Sequence, residues 1–190
     1  MKLRYTLLAA GIAAISIGAI GVPAGAAVTV LGHSSARLCY EGADSRSMPT
    51  PDLVGRCDTA LAEENLTQFD TVATLVNRGI LKMRLNSLVE AMRDFDAAIA
   101  RDPGQAEAYL NKGMALLKQP EGYTAAVPLF SIALEKRTRR PAVAYYGRAV
   151  ANELGGHVRE AYFDYREASR IEPKWREPQV ELTRFTVRGH

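Results

Sequence analysis

The chain has 190 residues, with 24 lysine and arginine residues against 21 aspartate and glutamate residues, a formal net charge of +3. Lys2 and Arg4 lie in a segment that we expect to be removed, which leaves 22 basic and 21 acidic residues, or +1. A chain so close to neutrality has no general electrostatic reason to bind nucleic acid or an anionic membrane. The 164 residues after position 26 suffice for one domain with a hydrophobic core.

The first 26 residues have the pattern of an export signal. Lys2 and Arg4 precede an uncharged run over 5–22, and the small residues Ala24, Gly25 and Ala26 then form a cleavage site. We therefore expect cleavage after Ala26 and a periplasmic or secreted mature protein. If the run stayed uncleaved, it would anchor the chain in the inner membrane, because 18 uncharged residues approach the length that spans a bilayer.

Residues 27–71 predict a leader of small residues followed by a divergent helix pair, with helices over 37–43 and 52–63 and a linker over 64–70. Each helix carries one cysteine, Cys39 and Cys57. Two cysteines on the arms of a hairpin in an exported protein predict a disulfide, with two buried thiols as the alternative. A metal site is not expected, because neither a second cysteine pair nor a nearby histidine supplies further ligands.

Between residues 72 and 173 a series of small and aromatic residues recurs with a period of about 35 positions, which predicts a repeat architecture. Small side chains at these positions let two antiparallel helices cross closely, and the aromatic ring fills the gap toward the next pair. Pro103 and Pro173 mark turns after the second helix of their units. The matching positions are Ala91, Phe95 and Ala98, then Ala126, Phe130 and Ala133, then Ala161, Tyr165 and Ala168.

This series resembles the tetratricopeptide repeat family, whose unit is a helix-turn-helix of about 34 residues. The resemblance includes the openings Asn77-Arg78-Gly79, Asn111-Lys112-Gly113 and Gly147-Arg148-Ala149, whereas the second copy has an extra residue near 119–122 and Thr138 in place of the proline. It implies an all-α, right-handed superhelix of about three stacked units. The divergent pair precedes these units, and a capping helix and tail follow in residues 174–190.

Several proteins of this family are scaffolds that hold peptides in a concave groove, and the resemblance implies such a groove here. The implied groove residues have i, i+4, i+7 spacing on each inner helix and form one stripe per helix. The family's chaperone-binding members hold a carboxylate with lysine and asparagine, but we interpret the matching places here as apolar. An apolar groove suits an amphipathic helix or an apolar peptide. The alternative is that these side chains pack on one another or under the Cys39/Cys57 pair. The groove residues are Val76, Ile80 and Met83, then Leu110, Met114 and Leu117, then Tyr146, Val150 and Glu153.

Catalysis is not predicted. The three histidines, His33, His157 and His190, are scattered, and the sequence has no phosphate-binding loop and no zinc signature. We interpret the acidic residues Asp94 and Asp96 as solvated helix surface. The sequence therefore predicts a non-enzymatic scaffold without a cofactor or metal, whose partner is a protein or peptide and not nucleic acid.

A basic cluster, formed by Lys136, Arg137, Arg139 and Arg140, follows the outer helix of the second copy. We interpret it as a solvated helix end, where cations suit the negative pole of the helix dipole, with an acidic docking patch as the alternative. Two alternatives to the scaffold use the same surfaces. One is a homo-oligomer held by the apolar stripe, and the other is a membrane-tethered structural component of the cell envelope.

Overall fold

The computed structural model describes residues 2–5, 27–29 and 34–188, and its helices form an all-α stack of antiparallel pairs, as the sequence predicts. Each helix packs against the next one in the chain. In addition, the helix that begins at Gln68 contacts the helix that begins at Ala106, which in turn contacts the helix that begins at Pro141. Those helices therefore form an inner layer and their partners an outer layer. The pairs are α1 (Ser35–Asp44) with α2 (Pro51–Glu63), α3 (Gln68–Arg84) with α4 (Leu88–Arg101), α5 (Ala106–Leu117) with α6 (Tyr123–Glu135), and α7 (Pro141–Leu154) with α8 (Val158–Ile171), followed by α9 (Arg176–Leu182).

The divergent pair lies where it is predicted, but the linker after it is shorter. Helix α3 begins at Gln68, so that only residues 64–67 separate it from α2. The reason is a capping interaction: the Thr67 hydroxyl accepts the Asp70 amide at 3.1 Å and donates to the Asp70 carboxylate at 2.7 Å. A threonine that satisfies an otherwise unpaired amide of the first turn starts a helix at this point.

The carboxyl-terminal helix is also shorter than expected. Helix α9 ends at Leu182, and β2 (Phe185–Arg188) follows it where a closing helix and a loose tail are predicted. Phe185 is buried, with its ring centroid 5.6 Å from that of Tyr162 and 6.0 Å from that of Tyr165. Burial of this ring against the last helix pair fixes the segment.

Strand β2 pairs antiparallel with β1 (Lys2–Tyr5). Most of the predicted export signal, residues 6–26, lies outside the described residues, so the signal itself stays a prediction. Cleavage after Ala26 would remove β1 from the mature protein.

Helix crossings at the repeated small residues hold each pair together. Every repeated alanine of the series is fully buried, and so are the rings of Phe95 and Phe130. A Cβ atom built on Gly79 would lie 2.5 Å from the Phe95 ring of the same pair, and one on Gly147 would lie 2.5 Å from the Phe130 ring of the preceding pair. Real Cβ atoms do not approach so closely, so the rings occupy the space that the missing side chains leave. The predicted crossing positions are confirmed.

The second unit departs from the other two at both of its ends. Its extra residue lengthens the turn between α5 and α6, where Glu121 has a φ of 58° and a Cβ on Gly122 would lie 2.1 Å from the Leu116 carbonyl oxygen. At its far end Thr138 is buried in the place of the repeat's proline. There the Glu107 carboxylate accepts the Arg139 amide at 2.9 Å, which fixes the turn by hydrogen bonding instead of by a proline ring.

Asp94 is not solvated helix surface, and that interpretation is wrong. Its side chain is 5% exposed and accepts hydrogen bonds from Arg78 at 2.6 and 2.9 Å and from Lys82 at 2.8 Å. Arg78 also reaches Asp58 of α2 at 2.7 Å, so one guanidinium ties α2, α3 and α4 together. Asp96 differs, because its side chain is 57% exposed and pairs only with Lys112 among the described residues.

The first prediction compares two glycines that lie inside helices. Gly79→Ala should lower the free energy of unfolding by about 1–2 kcal/mol, because overpacking against the Phe95 ring outweighs the gain in helix propensity. Gly55→Ala in α2 is the control, since a Cβ there has no heavy atom of the described chain within 4 Å. It should raise stability by about 0.5–1 kcal/mol. Urea denaturation followed by circular dichroism measures both, and equal changes would contradict the crossing geometry.

The second prediction compares the two acidic neighbours. Asp94→Ala should cost about 1–3 kcal/mol, because Arg78 and Lys82 lose charged hydrogen bonds at a partly buried position. Asp96→Ala should cost less than about 1 kcal/mol, as is usual for exposed ion pairs. Urea denaturation of the two variants checks this difference, which vanishes if both carboxylates are only surface charges.

Candidate functional site

The nine predicted groove residues, which we call the inner stripe, all lie on the inner helices α3, α5 and α7. The eight apolar members belong to one buried cluster, and each of them is at most 9% exposed. The structure therefore brings the stripe together as a continuous apolar surface. That surface is already covered within the folded chain, so it is not an open groove.

At α7 the stripe packs against the carboxyl-terminal part of the chain. The Tyr146 ring lies 4.9 Å from Trp175 and 5.5 Å from Tyr165, measured between ring centroids. The Glu153 carboxylate accepts the Tyr165 hydroxyl at 2.8 Å and Arg184 at 2.8 Å. Burial, and then the negative charge of Glu153, raise the pKa of Tyr165 far above its usual range, so this phenol stays a donor. At this end the side chains have the internal packing that was the alternative to a groove.

At α3 a polar residue that the sequence interpretation missed lies beside the stripe. Asn77 is fully buried between Val76 and Arg78 on the helix, and its carboxamide binds the leader. The Val28 amide donates to the Asn77 Oδ1 at 2.8 Å, and the Asn77 Nδ2 donates to the Val28 carbonyl at 2.7 Å. Val28 itself is 3% exposed, so this residue of the leader is packed on α3.

A signal for Asn77 was present in the repeat itself. An asparagine stands two positions before the small residue in the first and second copies, as Asn77 and Asn111, although asparagine is unfavourable inside helices. A polar residue that recurs on an apolar face needs a partner. Asn111 finds its partner in its own helix, where its Nδ2 donates to the Glu107 carbonyl at 2.8 Å, whereas Asn77 finds one 49 positions away.

The divergent pair covers α3 from the side and is held by a disulfide. The sulfurs of Cys39 and Cys57 are 2.12 Å apart, which confirms the predicted pairing. Both cysteines are fully buried, and both α1 and α2 contact α3. The Cys39 sulfur lies 3.9 Å from the Thr74 carbonyl oxygen of α3, so the bond sits directly against the inner layer.

Helix α1 is also fixed at its two ends by charged side chains. Arg84 of α3 donates to the Ser45 carbonyl at 2.8 Å, and it also reaches the carbonyls of Gly42, Ala43 and Ser47. The last carbonyls of a helix have no partner inside it, so a cation there satisfies them and suits the dipole. At the other end Glu64 accepts the Ser35 amide at 2.6 Å.

Among the described residues, the basic cluster and His157 show no arrangement that suggests chemistry. Arg137 of the basic cluster has a φ of 59°, and the Lys136 ammonium lies 5.7 Å from the centre of the Tyr109 ring. His157 is exposed before α8, while His33 and His190 lie outside the described residues. Within the described part of the chain, no group of three His, Cys, Asp or Glu residues is placed to hold a metal ion. Among the same residues, no helix is long and apolar enough to cross a membrane.

Comparison with known proteins adds no assignment. No protein-family model matches the chain, and no curated protein matches it either.

The third prediction concerns the disulfide. Its cysteines are 18 positions apart, and closing a loop of this size contributes about 3 kcal/mol in the chain-entropy model. Reduction should therefore lower the free energy of unfolding by about that amount, measured by urea denaturation with and without reductant. Hydrogen exchange should show the loss of protection first in α1 and α2. Alkylation of both thiols without prior reduction would contradict the bond.

Proposed function

We propose that this protein is an exported scaffold of the tetratricopeptide repeat type, without catalytic activity, which binds an apolar segment of a protein partner along the inner stripe. The observation that carries the proposal is the run of apolar side chains along the inner helices. Beside the small residues that cross the outer helices, such as Gly79 against Phe95, each inner helix carries apolar members of the stripe.

The arrangement of the layers favours an extended partner. Because α3 contacts α5 and α5 contacts α7, the stripe runs from one unit to the next without a break. A segment laid across it would bury apolar side chains against several helices at once. Such contacts dominate recognition when they are central and desolvated.

The two ends of the stripe differ in how strongly their side chains are engaged within the chain. At α7, Tyr146 and Glu153 are engaged with Trp175, Tyr165 and Arg184. We therefore assign the partner contact to the part of the stripe on α3 and α5. Because these side chains are already covered, the partner must replace contacts that the chain makes with itself.

The cellular compartment is inferred from the disulfide and not from the fold. A buried disulfide persists in an oxidising compartment, which supports export to the periplasm or beyond. A homo-oligomer would use the same stripe for a second copy of the chain, and an uncleaved amino terminus would tether the protein to the membrane. Light scattering of the purified protein and mass spectrometry of its native amino terminus distinguish these forms.

The fourth prediction tests the stripe. Met114→Glu places a carboxylate in an apolar site that is 9% exposed, and it should abolish capture of the proteins that the wild type retains from an envelope extract. Arg139→Glu changes an exposed charge of the basic cluster and should leave capture unchanged.

Circular dichroism must show that each variant folds. If Met114→Glu does not fold, Met114→Gln replaces the thioether by a neutral amide of similar length at a smaller desolvation cost. A folded variant of Met114 that captures the same proteins at full strength would reject the stripe as the binding surface.

A further inference from the structure

The Asn77 carboxamide is arranged to recognise a peptide backbone. It has one acceptor oxygen and a donor nitrogen in one plane, and both are used by the N–H and C=O of a single residue, Val28. Paired strands make the same exchange, in which one residue gives both its amide and its carbonyl to the same neighbour. The two hydrogen bonds therefore recognise the main chain of an extended segment.

A helical ligand does not fit this contact. The amide and carbonyl of a residue inside an α-helix are bonded within the helix, so they are not free to meet a carboxamide. Of the two ligand types that suit an apolar groove, the amphipathic helix and the extended apolar peptide, Asn77 selects the extended one.

The surroundings of Asn77 define the side chain that the contact prefers. Val28 lies in the same buried cluster as Val76 and Ile80, which flank Asn77 on α3. The neighbours of Val28 in the chain, Ala27 and Thr29, have small side chains; Ala27 is half-buried and Thr29 is exposed. An extended segment with an apolar, β-branched residue between small neighbours matches this pattern.

An empty site is unfavourable. Asn77 is fully buried, so loss of Val28 would leave its donor and acceptor without partners in an apolar environment. The leader is also tied close by, since α1 begins at Ser35 and is fixed by the disulfide and by Arg84. A short tether gives the leader a high effective concentration at the site.

We propose that residues 27–29 are an intramolecular ligand of α3, and that the partner presents an extended apolar segment which must displace them from Asn77. This inference rests on the proposed function and adds the chemistry of the partner and a competitor within the chain. Cleavage after Ala26, as the sequence predicts, would place this self-ligand at the amino terminus of the mature protein.

A labelled peptide with the sequence of residues 25–31 is the probe, and its binding to the purified full chain is measured by fluorescence anisotropy. Val28→Pro removes the amide that donates to Asn77, so the leader should leave and the probe should bind about tenfold more tightly or better. Thr29→Pro is the matched control. Both hydrogen bonds to Asn77 belong to Val28, and a proline at position 29 removes only the amide of residue 29, which neither bond uses. This variant should bind the probe as the wild type does.

Two further variants complete the test. Asn77→Leu, combined with Val28→Pro, removes the carboxamide and should abolish the gained affinity. If Val28→Pro does not fold, Val28→Gly removes the apolar side chain while keeping the amide, and it should raise probe affinity by a smaller factor.

Equal probe binding by the wild type, Val28→Pro and Thr29→Pro would overturn the inference, and so would a gain that survives the loss of Asn77. In either case the capture experiment with Met114→Glu is independent. If capture still depends on Met114, only the intramolecular ligand is rejected and the scaffold proposal stands.

Discussion

The rest of the structure depends on the close crossing of helices at positions without a side chain. The Phe130 ring illustrates the constraint, because it lies against Gly113 of its own unit and against Gly147 of the next one. One ring therefore sets the spacing within a pair and between pairs. Since each crossing repeats with the period of the sequence, the inner helices come into register, and that register aligns the stripe.

The divergent pair follows a different principle. Helix α2 buries only Cys57 and Ala60 completely, so it has little apolar surface with which to offset the entropy of ordering its residues. Covalent and charged contacts supply the stabilisation that apolar burial in α2 does not. The disulfide joins its two helices, and Arg84 and Arg78, both on α3, attach the pair to the first repeat. Helix α3 is thus fixed from both sides, which gives Asn77 a rigid support.

The stripe joins two kinds of environment. At α7 it merges with an aromatic and charged cluster around Tyr165 and Glu153, whose hydrogen bonds are satisfied inside the chain. At α3 it lies beside the carboxamide of Asn77, whose two bonds go to a segment far away in sequence. The first environment closes the stack, as a terminal unit of a repeat protein requires. The second is where an exchange of extended segments has the chemistry it needs, because a competing backbone offers the same donor and acceptor.

The sequence by itself determined the parts of the protein that repeat or that obey local rules. The period of Ala91, Phe95 and Ala98 predicted the helix pairs and their crossings, because side-chain size at a crossing is fixed by how near two backbones come. The spacing of Cys39 and Cys57 on a hairpin predicted their bond. The neighbours of these residues in the fold can be predicted from their positions in the sequence.

Only the tertiary structure decided the rest. The pairing of Phe185–Arg188 as a strand and the contact of Val28 with Asn77 join residues whose separation follows no period. The burial of Asp94 was also decided in space, although its ion pair with Arg78 recurs two repeats later between Arg148 and Asp164. The sequence does not show whether a carboxylate or a carboxamide is hydrated or bonded to a buried group of the folded chain. The role of such a side chain is set by which distant group arrives there when the helices pack.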